Sequence, residues 1–345
     1  DDDGAPSPPS RHSTSRRSVL PFVTTYAPLW TIISAILGLV KADAISPALG
    51  ALSTVEPILA TLMLAMGLVI TPTELSQAIR SPGILALNAL CCFGMMPLLS
   101  LFLANHILHL SVQQTVGLVL LGSVSGGQAS NLFTLLAGGN VALSVVCTLS
   151  TTLLGVIMTP LLVQWLLGSC IMVDGVGVLQ SVMSLVLVPL VSGLAMSRFL
   201  PKITNIIKPF CPAIGVFATL LLVAGGAANS AGSLLMGGGD WKTIVAASLW
   251  LPIMGGTIAL ALVSIIKTTT MKIPETSKRA LVVEVLSKSP TLAYVLARKH
   301  FSAVAASIPA ASMVSLAVVG AAVASFWTTV SPIQPTTTKS SSSND

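Results

Sequence analysis

The sequence predicts an all-α membrane protein of ten transmembrane helices, and three observations carry that reading. Only 8% of the 345 residues are charged, against about 25% in an ordinary soluble domain. The hydrophobic classes make up 53% of the chain and the mean hydropathy is +0.91. The apolar residues are gathered into runs of about 20, which suits helices rather than barrel strands. So few charges cannot cover a soluble surface of this size. So hydrophobic a chain cannot be disordered over most of its length either.

In chain order the runs fall at 21–40, 51–71, 83–105, 113–137, 140–168, 175–198, 209–229, 244–268, 279–298 and 302–328. Connections between them are short, so no sizeable soluble domain is expected. Residues 1–20 are rich in Ser, Pro, Arg and Asp, and residues 329–345 in Ser and Thr. Both read as disordered tails. Arg11, Arg16 and Arg17 among serines resemble the remnant of an organelle transit peptide, which points to a plastid envelope; Asp1–Asp3 oppose that reading.

The net charge of +6 reads as topology, not as a nucleic-acid surface. Both tails and the even-numbered loops carry Arg11, Arg16, Arg17, Arg80, Arg198, Lys202, Lys208, Lys267, Lys272, Lys278, Arg279 and Lys339. The opposite side has Lys41, Lys242, Arg298 and Lys299. The positive-inside rule then places both termini inside. Cys91, Cys92, Cys147, Cys170 and Cys211 are scattered and form no CxxC pair, so each reads as a small hydrophobe. His106 and His109 read as an interfacial pair, because no acidic residue or Cys stands near enough to complete a metal site.

Ten runs divide into five plus five, 21–168 and 175–328. An odd number of spans per half makes the two halves run in opposite directions, as in many secondary transporters. The unusual helices fall at matching ordinals. The fourth run is interrupted at Ser125-Gly126-Gly127-Gln128, and the ninth at Ser287-Lys288-Ser289-Pro290. Glycine weakens a helix, and proline has no N–H and disfavours helix at the residue before it. Pro290 with Ser289 before it is also a start signal, so Ser289 is expected to cap a second half-helix. Unwound backbone at membrane depth is tolerated only where protein or a cavity surrounds it. Two half-helix N-termini there favour an anion, and the freed carbonyls favour a cation. The blander reading is a pair of packing glycines and a proline kink.

Of 11 acidic residues, Glu284 alone sits deep within a predicted span; Glu56 lies near the start of the second. An ionisable residue in a membrane is a functional candidate by default. Lys288 is four residues later, so a structural Glu284–Lys288 ion pair is one reading. A sodium site is another, with Ser130, Asn131, Ser144, Thr148 and Glu284 as the five or so oxygens a hard cation wants. Against it, membrane Ser and Thr commonly bond their own backbone or a neighbouring helix.

These residues resemble a known family. Gly126-Gly127-Gln128-Ala129-Ser130-Asn131, then Gly139-Asn140-Val141-Ala142-Leu143-Ser144, is similar to the GGTASN and RGNVALS runs of the bile acid:sodium symporter family. The stretch from Val283 to Ser289 resembles that family's EVGMQNS segment, and Met66-Gly67-Leu68 and Met96-Pro97 also fit. The resemblance covers about 21–328. It implies two inverted five-helix repeats, broken and crossed helices 4 and 9, a core of spans 3–5 and 8–10, and a panel of spans 1, 2, 6 and 7. It implies sodium-coupled transport of organic anions by alternating access. The plastid- and bacterial-type members that this chain resembles more carry small carboxylates, 2-oxo or hydroxy monocarboxylates such as pyruvate or pantoate.

Carried over by motif, the first sodium site is Ser130, Asn131, Ser144, Thr148 and Glu284. The family's second site uses Glu284, backbone at Val285 and Ser287, and two Gln side chains. Those Gln positions are Cys92 and Lys288 here. The resulting expectation is one sodium, no other metal, and Lys288 as a tethered cation in place of the second ion. Substrate contacts fall to Gln128, Ala129, Ser289 and Thr25. The alternative is a sodium-independent carrier, proton-coupled or facilitative, in which Lys288 neutralises Glu284. The assembly expected is a monomer or homodimer in a lipid bilayer, binding no nucleic acid. Gly237-Gly238-Gly239-Asp240 matches the GxGD pattern of intramembrane aspartyl proteases, but the second intramembrane Asp is missing, so an enzyme is not expected. A channel would need polar linings along several helices, whereas the polar groups here gather at the two breaks.

Overall fold

The computed structural model describes residues 26–70, 82–168, 172–235, 241–269 and 273–330. Thr25, Cys170 and Gly237–Asp240 lie outside the described residues. Among the described residues the regular structure is helical, and the sole extended pairing is an isolated bridge between Gly126 and Lys288. The chain begins with α1 (Ala27–Val40), α2 (Ala42–Leu49), α3 (Leu52–Val69), α4 (Pro82–Ile107), α5 (Val112–Ser123), α6 (Ala129–Leu136) and α7 (Val141–Leu167). It continues with α8 (Gly175–Phe199), α9 (Pro201–Ile207), α10 (Cys211–Leu235), α11 (Trp241–Thr269), α12 (Glu275–Leu286), α13 (Pro290–His300) and α14 (Ala303–Val330).

Among the described residues, 7 helical stretches are long and apolar enough to cross a membrane, and 8 if the bent pair α1–α2 counts as one. The 107° bend after Val40 and the short helix α9 are two features the hydropathy runs did not show. The runs at 113–137 and 279–298 become the broken pairs α5/α6 and α12/α13. Large apolar side chains such as Leu98, Phe102, Ile157, Trp165, Phe217 and Ile265 point outward. Lipid offers them the same environment as a protein core, so their exposure costs nothing there. The chain is a multi-pass integral membrane protein.

Without hydrophobic drive between helices, packing in lipid depends on close backbone approach. The α3–α8 contact shows how. A Cβ on Gly67 would strike the Leu190 carbonyl oxygen, and one on Gly193 the Leu64 carbonyl oxygen. The two glycines interlock the helices in both directions. Hydroxyls add bonds across helices: Ser34 donates to the Leu220 carbonyl at 2.6 Å and Ser315 to the Ser248 carbonyl at 2.9 Å.

One basic residue departs from the topological reading. Arg279 is not a loop residue but lies in α12, 1% exposed. Its Nη1 donates to the Ala137 carbonyl at 2.6 Å, and its guanidinium stands 5.8 Å from the Trp327 ring centre. A cation at the C-terminal end of α6 complements that helix's dipole.

Candidate functional site

The two breaks cross. Gly127 N–H donates to the Ser287 carbonyl at 2.6 Å, and Ser289 N–H to the Ser125 carbonyl at 3.0 Å. The glycines are there for space as well as for helix breaking. A Cβ on Gly126 would collide with Oε1 of Glu284, and one on Gly127 would come within 2.7 Å of the Lys288 carbonyl oxygen. A side chain at Gly127 would force the two unwound segments apart, and one at Gly126 would displace the Glu284 carboxylate.

Glu284 is the centre of the arrangement and is fully buried. The Thr148 hydroxyl lies 2.9 Å from Oε2, and the Thr151 hydroxyl 3.4 Å from Oε1. The Ser130 hydroxyl is 3.1 Å from that of Thr148, and Thr134 donates to the Ser144 hydroxyl at 3.2 Å. Asn131 lies one residue along, and its buried Oδ1 has no hydrogen-bond donor. Asn140 has a different role from its neighbours in the motif. It caps α7, its Oδ1 accepting from Leu143 N–H at 3.1 Å, and so fixes where the Ser144–Thr148 face begins.

Sequence reading stopped at Thr148. The hydroxyl face of α7 continues through Thr151, Thr152 and Thr159, all buried. Thr151 and Thr152 lie three and four residues after Thr148 and so share its side of the helix, and Gly155 and Thr159 continue that stripe. The Thr159 hydroxyl donates at 3.0 Å to the Ser123 carbonyl, the last of α5.

Glu284 and Lys288 do not form the i,i+4 ion pair that the sequence allows. α12 ends at Leu286, so the helical offset is lost, and the carboxylate is held by threonines instead. Lys288 turns to α4. Its Nζ donates to the Cys92 carbonyl at 2.8 Å and lies 5.4 Å from the centre of the Phe93 ring. α13 begins at Pro290 as expected, but Ser289 does not cap it with its hydroxyl. That hydroxyl lies 3.4 Å from Thr291 Oγ1. Gln128 and Ala129 stand at the start of α6, where Gln128 reaches toward Gly215 of α10. The buried Gln128 Nε2 and Ser287 Oγ have no protein partner. Thr25 is outside the described residues.

α13 is tied to three other helices, through Tyr294 near its middle and Lys299 and His300 at its C-terminal end. Tyr294 OH accepts from Asn229 Nδ2 at 2.7 Å, and the same nitrogen donates to the Gly50 carbonyl at 2.8 Å. Lys299 Nζ pairs with Glu56 at 2.8 Å, and His300 Nε2 meets the Ser181 hydroxyl at 2.7 Å.

A fully buried carboxylate, a cluster of hydroxyls and two helix N-termini at one crossing offer partners for a cation and an anion side by side. Comparison with known proteins agrees in kind. Residues 56–236 match the model of the sodium bile acid symporter family. The probable sodium/metabolite cotransporter BASS1 of Arabidopsis thaliana, described as chloroplastic, is 33% identical over 313 residues, covering 90% of this chain and 75% of its own. The Bacillus subtilis sodium-dependent transporter YocS is 27% identical over 299 residues, covering 87% and 89% respectively. Among solved structures, the sodium proton antiporter MjNhaP1 of Methanocaldococcus jannaschii has a similar fold, with a TM-score of 0.54 at 14% identity over 89% of this chain and 98% of that one. The relatives are transporters, not enzymes, and the chain belongs to the sodium bile acid symporter family.

Proposed function

We propose that this protein is a sodium-coupled secondary transporter of small carboxylates, working by alternating access. The observation that carries the reading is Glu284, fully buried, with Thr148 and Thr151 at its carboxylate, Ser130 on the Thr148 hydroxyl, and the undonated Asn131 oxygen one residue after Ser130. A buried carboxylate is costly unless a charge or strong hydrogen bonds compensate it. An undonated buried oxygen close by is the second half of a cation site. One sodium is held there by Ser130, Asn131, Ser144, Thr148 and Glu284.

Lys288 takes the place of a second sodium. Its ammonium sits on the backbone of Cys92, one of the two positions where the resemblance expects a ligating Gln. The substrate is a 2-oxo or hydroxy monocarboxylate such as pyruvate or pantoate. Its carboxylate meets the N-termini of α6 and α13, with contacts from Gln128, Ala129, Ser289 and Thr25. The five-helix halves 21–168 and 175–328 are inverted repeats. The contacts of α13 with Glu56, Ser181 and Asn229 join the core to the panel and break when the path opens on that side. Both termini face inside, the membrane is a plastid envelope as the names of the plant relatives indicate for them, and the unit is a monomer or homodimer.

The sodium-independent alternative needs Lys288 to neutralise Glu284 directly. The position of its ammonium on Cys92 instead favours sodium coupling. The test is uptake of labelled pyruvate and pantoate into proteoliposomes at fixed pH, with and without an inward sodium gradient. Sodium stimulation with a Hill coefficient near one is expected. Placing Gln at both Cys92 and Lys288 raises that coefficient. Uptake indifferent to sodium refutes the proposal.

A further inference from the structure

Lys288 has a built acceptor, and the reason lies in α4. Residues Cys91–Met95 form the first of two π turns within that helix, the other being Leu103–Ile107. Such turns inside α-helices commonly mark functional sites. The Met96 N–H donates to the Cys91 carbonyl, five residues back, and not to that of Cys92. In the same register the donor for the Cys92 carbonyl is the nitrogen of residue 97. That residue is Pro97, which has no N–H. The Cys92 carbonyl is thus left without a backbone donor inside a buried helix, and the Lys288 ammonium fills it at 2.8 Å. The Phe93 ring supplies a second favourable surface, 5.4 Å from Nζ.

The consequence concerns Glu284. A lysine on a flexible four-carbon stem, enclosed near a carboxylate in a low-dielectric interior, is drawn onto that carboxylate. An ammonium there would compete with sodium for the same oxygens. In the structure the carboxylate is bonded to Thr148 and Thr151, and the ammonium to Cys92. We propose that the first π turn of α4 and Pro97 form a dedicated seat that holds the Lys288 ammonium off Glu284 and keeps the carboxylate open to sodium. Pro97 is then a positioning residue, touching neither ion nor substrate. This inference rests on the assignment of Glu284 to a sodium site.

The test is equilibrium binding of radiolabelled sodium to the purified full chain, in the parent, in Pro97→Ala, in Lys288→Gln and in the double variant. Pro97→Ala supplies the missing N–H, which competes with Lys288 for the Cys92 carbonyl and releases the ammonium toward Glu284. The sodium concentration for half-saturation is expected to rise at least about fivefold. In the Lys288→Gln background the same substitution should shift it less than about twofold. Phe93→Leu is the second probe, should Pro97→Ala fail to fold. It removes the ring beside the ammonium and should weaken sodium binding about two- to threefold, again only where Lys288 is present. Equal shifts in both backgrounds would mean that Pro97 merely shapes the helix, and would overturn the seat while leaving the sodium site standing. No shift in either background overturns it as well. A parent protein that binds no sodium overturns the assignment of Glu284 and the seat together.

Discussion

Three threonines on one face of α7 give a graded test of the proposed sodium site. Thr148, Thr151 and Thr152 are all buried, but their hydroxyls differ in what they reach. Thr148 Oγ1 is 2.9 Å from Glu284 Oε2. Thr151 Oγ1 is 3.4 Å from Oε1 and also lies 3.0 Å from the Cys147 carbonyl, where its one proton is better placed. Thr152 Oγ1 donates to the Thr148 carbonyl at 2.7 Å and has no bond to the carboxylate. Valine matches the shape of threonine without the oxygen. A contact between a hydroxyl and a charged group contributes about 1.5–3 kcal/mol. At about 1.4 kcal/mol per tenfold, Thr148→Val should weaken sodium binding about 10- to 150-fold. Thr151→Val should weaken it no more than about threefold, since only a long contact is lost. Thr152→Val should leave it unchanged within about twofold. The assay is radiolabelled sodium binding to purified protein, with thermal melting in parallel to show that all three fold. Equal losses in the three variants would mean a general effect of removing hydroxyls from α7. A Thr148→Val protein within threefold of the parent would remove Thr148 from the site.

Further outcomes follow from the packing. Gly67→Ala forces a methyl against the Leu190 carbonyl, an overpacking cost of about 1–3 kcal/mol, and should lower the melting temperature; Gly94→Ala meets only the mobile end of Leu90 at 3.3 Å and should not. Asn140→Ala removes the α7 cap and should cost about 1 kcal/mol, seen as faster hydrogen exchange in the first turn of α7. Asn229→Ala leaves the Tyr294 hydroxyl and the Gly50 carbonyl without their partner, at about 1–3 kcal/mol, and should speed exchange along α13. Glu56→Gln breaks a half-exposed ion pair with Lys299 and should change that exchange by less than about fivefold.

The fold class and both breaks were legible because membrane helices announce themselves by length and polarity, and because Gly126-Gly127 and Ser289-Pro290 are strong local signals. What stayed hidden depends on contacts between distant segments. Lys288 and Glu284 are at i,i+4 in sequence, and only the end of α12 at Leu286 shows that they do not meet. The π turn at Cys91–Met95 leaves no trace in hydropathy, although Pro97 beside it was visible. Arg279 looked like a loop cation because a buried guanidinium on the Ala137 carbonyl is set by tertiary structure alone. The bend after Val40 was missed for a simpler reason: Ala42–Leu49, with Lys41 and Asp43 at its start, fell between the runs at 21–40 and 51–71 and read as a connection.

The crossing has a physical logic that joins the fold to the proposed cycle. Breaking two helices at membrane depth frees carbonyls and N–H groups that lipid cannot satisfy. Here each break supplies partners for the other. Ser287 and Ser125 carbonyls accept from Gly127 and Ser289 N–H, while Thr159 takes the Ser123 carbonyl and Arg279 the Ala137 carbonyl. Separating the two backbone-bonded segments would expose four polar groups at once, a cost that opposes moving α5/α6 and α12/α13 apart. The contacts from Glu56, Ser181 and Asn229 to α13 are side-chain contacts, and they can break without touching the crossing. The proposed ion and substrate groups sit at this crossing, and the side-chain contacts of α13 lie away from it. That division is what alternating access requires: a site that keeps its geometry while the walls on either side change places.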